Sequence, residues 1–105
     1  MREPMGYTTG FVYFAQGPGD LDPIKIGWST NPWVRLLEMQ TANWAVLRLI
    51  GLIEIPVKDP AAGSGYQSLE RRLHEHFAPF RIRGEWFRAE TELFAYIDQH
   101  TRRAA

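Results

Sequence analysis

The sequence contains no cysteine. That removes disulfide frameworks, thiolate nucleophiles and thiolate metal ligands together, and it fits a reducing compartment. It also has no surplus of either charge: 12 Lys and Arg face 12 Asp and Glu, a formal net charge of zero. A chain that holds nucleic acid by bulk electrostatics carries a basic excess. Any such binding here must come from a local patch, and segment 81–88, RIRGEWFR, is the candidate, with Arg81, Arg83 and Arg88 against the single acid Glu85. Long apolar runs are missing as well; none approaches the ~20 residues of a membrane span. The opening MREPMGYTTG has no apolar signal core. The expectation is a cytoplasmic protein with no membrane contact.

What is present suits a folded domain. The chain has 105 residues, 45% hydrophobic and 13% aromatic, enough to bury a core. A charged fraction of 23% is far from that of a disordered chain. Residues 1–105 are expected to form a single domain.

Segment 10–16, GFVYFAQ, is a compact β-branched and aromatic run and predicts a strand. GPGDLDP (17–23) is turn chemistry, and IKIGW (24–28) predicts a second strand, so the pair is expected as an antiparallel hairpin. Asn31-Pro32 is a helix start, with Asn31 as N-cap and Pro32 at the first helical position, where a missing N–H costs nothing. That helix is expected from Pro32 to about Thr41, with Val34, Leu37 and Ala42 toward the core. AVLRLIGLIEI (45–55) predicts a third, central strand, bent or bulged at Gly51. A Pro/Gly loop follows (56–65). SGYQ (64–67) then matches a capping box for a helix in which Leu69, Leu73 and Phe77 make the buried stripe. Tyr66, Glu70 and His74 form a neighbouring stripe, and Pro79 limits the helix. RIRGEWF is expected as a turn with a short strand. TELFAYIDQHTRR gives a last amphipathic helix, with Leu93, Phe94 and Ile97 inward. The order ββαβα plus a C-terminal helix predicts a small α+β domain with a mixed or antiparallel three-stranded sheet flanked by helices.

Four polar positions stand out: Tyr13, Lys25, Arg35 and Glu70. Each has an ordinary reading. Tyr13 is a strand aromatic, Lys25 can snorkel at a strand edge, Arg35 can pair with Glu38 one turn on, and Glu70 with Arg71 or His74. Two-residue periodicity puts Phe11, Tyr13 and Ala15 on one face, and Lys25 with Gly27 on one face of the next strand. Lys and Arg are seldom buried without a partner, so Lys25 inside an apolar strand asks for an explanation. Of the four tryptophans, Trp44 and Trp86 are expected in the core. Trp28 and Trp33 are expected near the polar positions, able to stack a base.

The joint pattern resembles a GIY-YIG-type nuclease domain, in particular the branch labelled T5orf172 or MUG113-like. FVYF (11–14) stands where that family has its first motif, and KIG (25–27) where it has the second. GWSTNPWVRL repeats the spacing from that glycine to a helix arginine. LERRLHEHF followed by GEWF matches the branch's E-x-x-x-H and G-E-W-F signatures. The resemblance covers about residues 11–97. It implies a metal-dependent endonuclease acting on DNA, single- or double-stranded, through one divalent cation, Mg²⁺ or Mn²⁺. By position it implies Tyr13 for activating the attacking water, Arg35 for the scissile phosphate, Glu70 for the metal, and His74 beside metal or phosphate. Lys25 replaces the second motif's tyrosine; it either adds a point charge at the phosphate or gives up its proton and serves as base. Arg81 and Arg83 join Trp28 and Trp33 as expected nucleic-acid contacts. A binding module without turnover on the same fold is the alternative. The chain is expected as a monomer or homodimer, the latter through Phe94, Tyr96 and Ile97 of the last helix.

Overall fold

A computed structural model describes residues 8–43, 45–57 and 65–101. β1 (Thr8–Gln16) and β2 (Ile24–Ser29) form the expected antiparallel hairpin, with Tyr13 opposite Gly27 and Ala15 opposite Lys25. The turn between them is closed by the Gln16 side-chain amide, which donates to the carbonyls of Asp20 (3.1 Å) and Asp22 (2.9 Å). Helix α1 (Pro32–Thr41) starts as the sequence predicts: the Asn31 side chain accepts from the Val34 N–H at 3.2 Å, and Pro32 opens the first turn. β3 (Arg48–Val57), α2 (Gly65–His76), β4 (Arg81–Arg83), β5 (Trp86–Phe87) and α3 (Thr91–His100) complete the order. Ser64 of the expected capping box and Trp44 lie outside the described residues. Helix α2 ends before Pro79, which sits in a short 3-10 turn (Ala78–Phe80). No helix among the described residues is long and apolar enough to cross a membrane.

The sheet corrects two expectations. It has five strands, in the order β3-β1-β2-β5-β4, and every neighbouring pair is antiparallel. β3 is an edge strand rather than the central one. Its apolar run looks central, but Glu54 and Pro56 are exposed, and a proline without an N–H belongs on an edge. The inner strand β1 buries both faces: Val12, Tyr13, Phe14 and Ala15 are all nearly inaccessible. The register of β3 against β1 slips by one residue beside Gly51, the bulge anticipated there.

Alternation sorts the core into two layers. Val12, Phe14, Ile24, Ile26 and Phe87 pack with Leu73 and Phe77 from the α2 segment and with Leu93 and Ile97 of α3. Leu69 and Phe94 join at the margin, as the helical stripes predict. Tyr96 also packs inward, so the apolar surface that suggested a homodimer through α3 is used inside the domain. On the opposite face Tyr13, Ala15 and Leu52 meet Met39 of α1. There the expected face of α1 is wrong. Val34 and Leu37 are 48% and 67% exposed, and Ala42 is exposed. The helix instead turns Pro32, Leu36, Met39 and Gln40 inward. It carries two apolar stripes, and side-chain bonds to the segment that follows hold its docking: Gln40 donates to the carbonyls of Asn43 (3.0 Å) and Ala45 (2.7 Å) and accepts from the Leu47 N–H (2.8 Å), just before β3.

Candidate active site

Tyr13 is the centre of the site. Its side chain lies across β2 rather than rising from the sheet, and Gly27 makes that possible. A Cβ added to Gly27 would stand 2.5 Å from the Tyr13 hydroxyl. Tyr13 is 1% exposed, and its hydroxyl points at the Met39 sulfur, 3.8 Å away. Burial pushes the phenol above the ordinary tyrosine value and outweighs the hydrogen bond with Arg35, which pulls it down. The nearby charges of Glu85 and Glu70 add to the upward push.

Arg35 projects from α1 with its guanidinium largely in solvent. Its Nη1 meets Glu38 Oε1 at 3.2 Å, the pairing expected one turn on. The bond to Glu38, then that to Tyr13, raises Arg35 further above its ordinary value. An exposed pair of this kind is weak, so an incoming phosphate can take the fork from Glu38 at small cost.

Lys25 points to the same face as Tyr13 and is only 9% exposed. Its partner is Glu85, whose Oε1 lies 2.8 Å from Nζ. Glu85 was not expected as a site residue. The one sequence signal for it is its place in GEWF, as the lone acid among the arginines of 81–88. It is delivered by the β4–β5 turn, where Gly84 takes φ +56°, a left-handed conformation suited to glycine. Lys25 Nζ also lies 5.6 Å from the centre of the Trp86 ring. Trp86 is half-buried on the wall of an open cleft, not in the core as its sequence context suggested.

Glu70 and His74 belong to α2, on the other side of the sheet, and reach the site around an open edge. β5 pairs with β2 only at Ile24 and Lys25. Beyond that, the Ile26 N–H donates to the Glu85 carbonyl at 3.0 Å, and the Ile26 carbonyl lies 2.8 Å from His74 Nε2. His74 Nδ1 faces Arg81 Nη2 at 3.3 Å. The two partners together assign a neutral ring, with the proton on Nε2 given to Ile26 and Nδ1 accepting from Arg81. The Glu70 carboxylate is 3.4 Å from the same Nε2, and both side chains are mostly covered. Burial raises Glu70 above the usual carboxylate range. Protonated His74 would pull it down, Glu85 pushes it up, and Lys25 and Arg81 pull it down.

Tyr13 thus lies within electrostatic reach of Arg35, Glu70 and Glu85, and Glu70 within reach of His74, Lys25, Glu85 and Arg81. The aromatic positions divide. Trp33 is 52% exposed and meets Phe11 edge-on at 5.7 Å, on the Tyr13 face. Trp28 points to the opposite face and leans on Tyr66 at 5.1 Å, one turn before Glu70. Arg81 is partly engaged, on His74 and 5.4 Å over the Phe87 ring. Arg83 is exposed and makes no ion pair among the described residues. No set of three or more His, Asp or Glu side chains converges as a metal cage among the described residues.

Comparison with curated proteins returned no match, and comparison with solved structures returned none. The family model of the T5orf172 domain matches residues 10–101, from within β1 to just past the end of α3, and takes in every residue of this site. The chain therefore belongs to the T5orf172 domain family.

Proposed function

We propose that this domain hydrolyses DNA phosphodiester bonds by a GIY-YIG-like mechanism that uses one divalent cation, Mg²⁺ or Mn²⁺. The observation that supports the reading is that the Tyr13 phenol of β1 lies within electrostatic reach of both the Arg35 guanidinium of α1 and the Glu70 carboxylate of α2. In-line attack by water on phosphorus forms one P–O bond, breaks another, and builds negative charge on the phosphoryl and leaving oxygens. The Arg35 fork suits two phosphoryl oxygens at once. Lys25, ion-paired with Glu85, is an ammonium and acts as a point charge rather than as base. Burial keeps Tyr13 a phenol at neutral pH, so it contributes a fixed hydroxyl that orients the attacking water. His74 spends Nε2 on the β2 backbone and serves to position Glu70 and the strand edge.

Glu70 is the residue that would hold the cation. Its carboxylate is held above the usual range by burial, with Glu85 adding to the push, so a cation arriving there relieves both effects. Mg²⁺ takes one or two carboxylates and completes its shell with water and substrate oxygens. The metal would supply charge stabilisation for the leaving oxygen.

The test is cleavage of single- and double-stranded DNA with Mg²⁺ or Mn²⁺ by the wild type, Glu70→Ala and Arg35→Ala. Metal-dependent cleavage lost in both variants supports the assignment, and cleavage that survives both defeats it. The raised phenol of Tyr13 and the lysine in a tyrosine's place favour one second reading, a binding module without turnover. Salt-sensitive DNA binding that depends on Arg35 and Arg83, with no cleavage under any divalent ion, would establish it.

A further inference from the structure

Beside the catalytic residues lies an open cleft of about 670 Å³. It is bounded by the β1–β2 turn, the segment between α1 and β3, and the β4–β5 hairpin, and its walls are mainly apolar: Val46, Leu47, Ile82 and Trp86. Its volume lies within the range of small-ligand sites. Val46 and Ile82 remain 66% and 52% exposed, so apolar surface is left without cover among the described residues.

We propose that this cleft seats the unpaired base of a nucleotide adjoining the scissile phosphate, so that the substrate is single-stranded or locally unpaired DNA. The inference rests on the nuclease reading above and adds the substrate class to it. Three observations choose this occupant. The cleft is continuous with the catalytic centre: Trp86 forms part of its wall and also lies under the Lys25 ammonium, so a base stacked on Trp86 brings its phosphate to Lys25. The lining holds one acid and one cation: the Asp22 carboxylate is engaged by the Gly19 N–H at 2.9 Å, whereas Arg83 has no ion pair among the described residues and can take the next phosphate. The hydrogen-bonding edge of a base also meets donors. Asn43 and Trp86 both line the cleft, and the amide N–H₂ of the first and the indole N–H of the second have no hydrogen-bond partner among the described residues. A base still paired within a duplex cannot enter a cleft of this kind; it must be flipped out or already single.

The test uses single-stranded oligonucleotides with 2-aminopurine at each position in turn, bound to the full chain in EDTA so that no cleavage proceeds. The expected result is fluorescence quenching confined to one position, next to the bond cut when Mg²⁺ is restored. Trp86→Leu should abolish that quenching and weaken binding roughly 5- to 150-fold, the range for losing one stacked base. Trp86→Phe should keep most of both. If Trp86→Leu fails to fold, Val46→Glu, which places a negative charge at the exposed rim, should reproduce the loss. Cleavage of unpaired DNA with no position-specific quenching overturns the base site and leaves the nuclease reading standing. So does equal cleavage of a fully paired duplex. Absence of both DNA binding and cleavage overturns the nuclease reading and the base site with it.

Discussion

Substituting Gly27 by alanine tests whether the shape of β2 holds the Tyr13 phenol in place. The new carbon would stand 2.5 Å from the hydroxyl oxygen, 2.6 Å from Cζ and 3.0 Å from Cε2 of Tyr13, where ordinary contact begins at 3.4 Å. The atoms met are the rigid end of a ring, not the tip of a flexible chain. The ring has nowhere to recede, being 1% exposed with Met39 at its hydroxyl. Overpacking of this kind costs about 1–3 kcal/mol. For a domain of this size that is a fall in Tm of roughly 4–24 °C. The displaced hydroxyl should also slow cleavage by about 100-fold, the scale for a misplacement near 1 Å. The assay is thermal unfolding by circular dichroism, with cleavage rates taken well below both transitions. A Tyr13→Leu background supplies the control, because leucine does not reach across β2. There Gly27→Ala should be neutral or stabilising by up to about 1 kcal/mol, since alanine loses less backbone entropy than glycine. A Gly27→Ala protein with wild-type Tm and rate would refute the reasoning. An equal penalty in both backgrounds would place the strain somewhere other than Tyr13.

Arg35→Lys should leave stability within about 0.5 kcal/mol, because the residue is exposed, yet slow cleavage by about 100-fold or more as the two-pronged contact is lost; equal activity would remove Arg35 from the phosphate site. Glu70 is raised by burial, so its charged form costs stability in full above the raised value and not at all below the ordinary glutamate value. Glu70→Gln should therefore raise Tm at neutral pH, with the gain shrinking as pH falls through the raised value and vanishing below the ordinary one; a gain that does not change with pH contradicts this. His74→Ala leaves the Ile26 carbonyl without its partner and should cost about 1–3 kcal/mol in urea denaturation, whereas an unchanged midpoint would mean the 2.8 Å bond contributes nothing.

Much of the chain could be read locally. Asn31-Pro32 marked the start of α1, the turn residues 17–23 marked the hairpin, and Pro79 marked the end of α2, because each acts through its own backbone. What failed depended on partners distant in sequence. β3 is more continuously apolar than β1, but centrality comes from which strands pair, and β4 and β5 are too short to announce themselves as partners. Val34 and Leu37 share α1 with Leu36 and Met39, and the contact of Met39 with Tyr13, Ala15 and Leu52, far away in sequence, decides which stripe docks. Tyr13, Lys25, Arg35, Glu70 and His74 were legible as a set through the resemblance in motif order and spacing. Glu85 was not, since its carboxylate matters only once the hairpin turn at Gly84 carries it to Lys25.

The backbone of Ile26 ties two parts of the molecule to one residue of β2. Its N–H is held by the hairpin bearing Glu85 and its carbonyl by the helix bearing Glu70. The two carboxylates are therefore registered against the same short piece of β2. Amide hydrogen exchange at Ile26 becomes a gauge of both at once: loosening either the helix or the hairpin should quicken it, and an occupant that tightens the site should slow it.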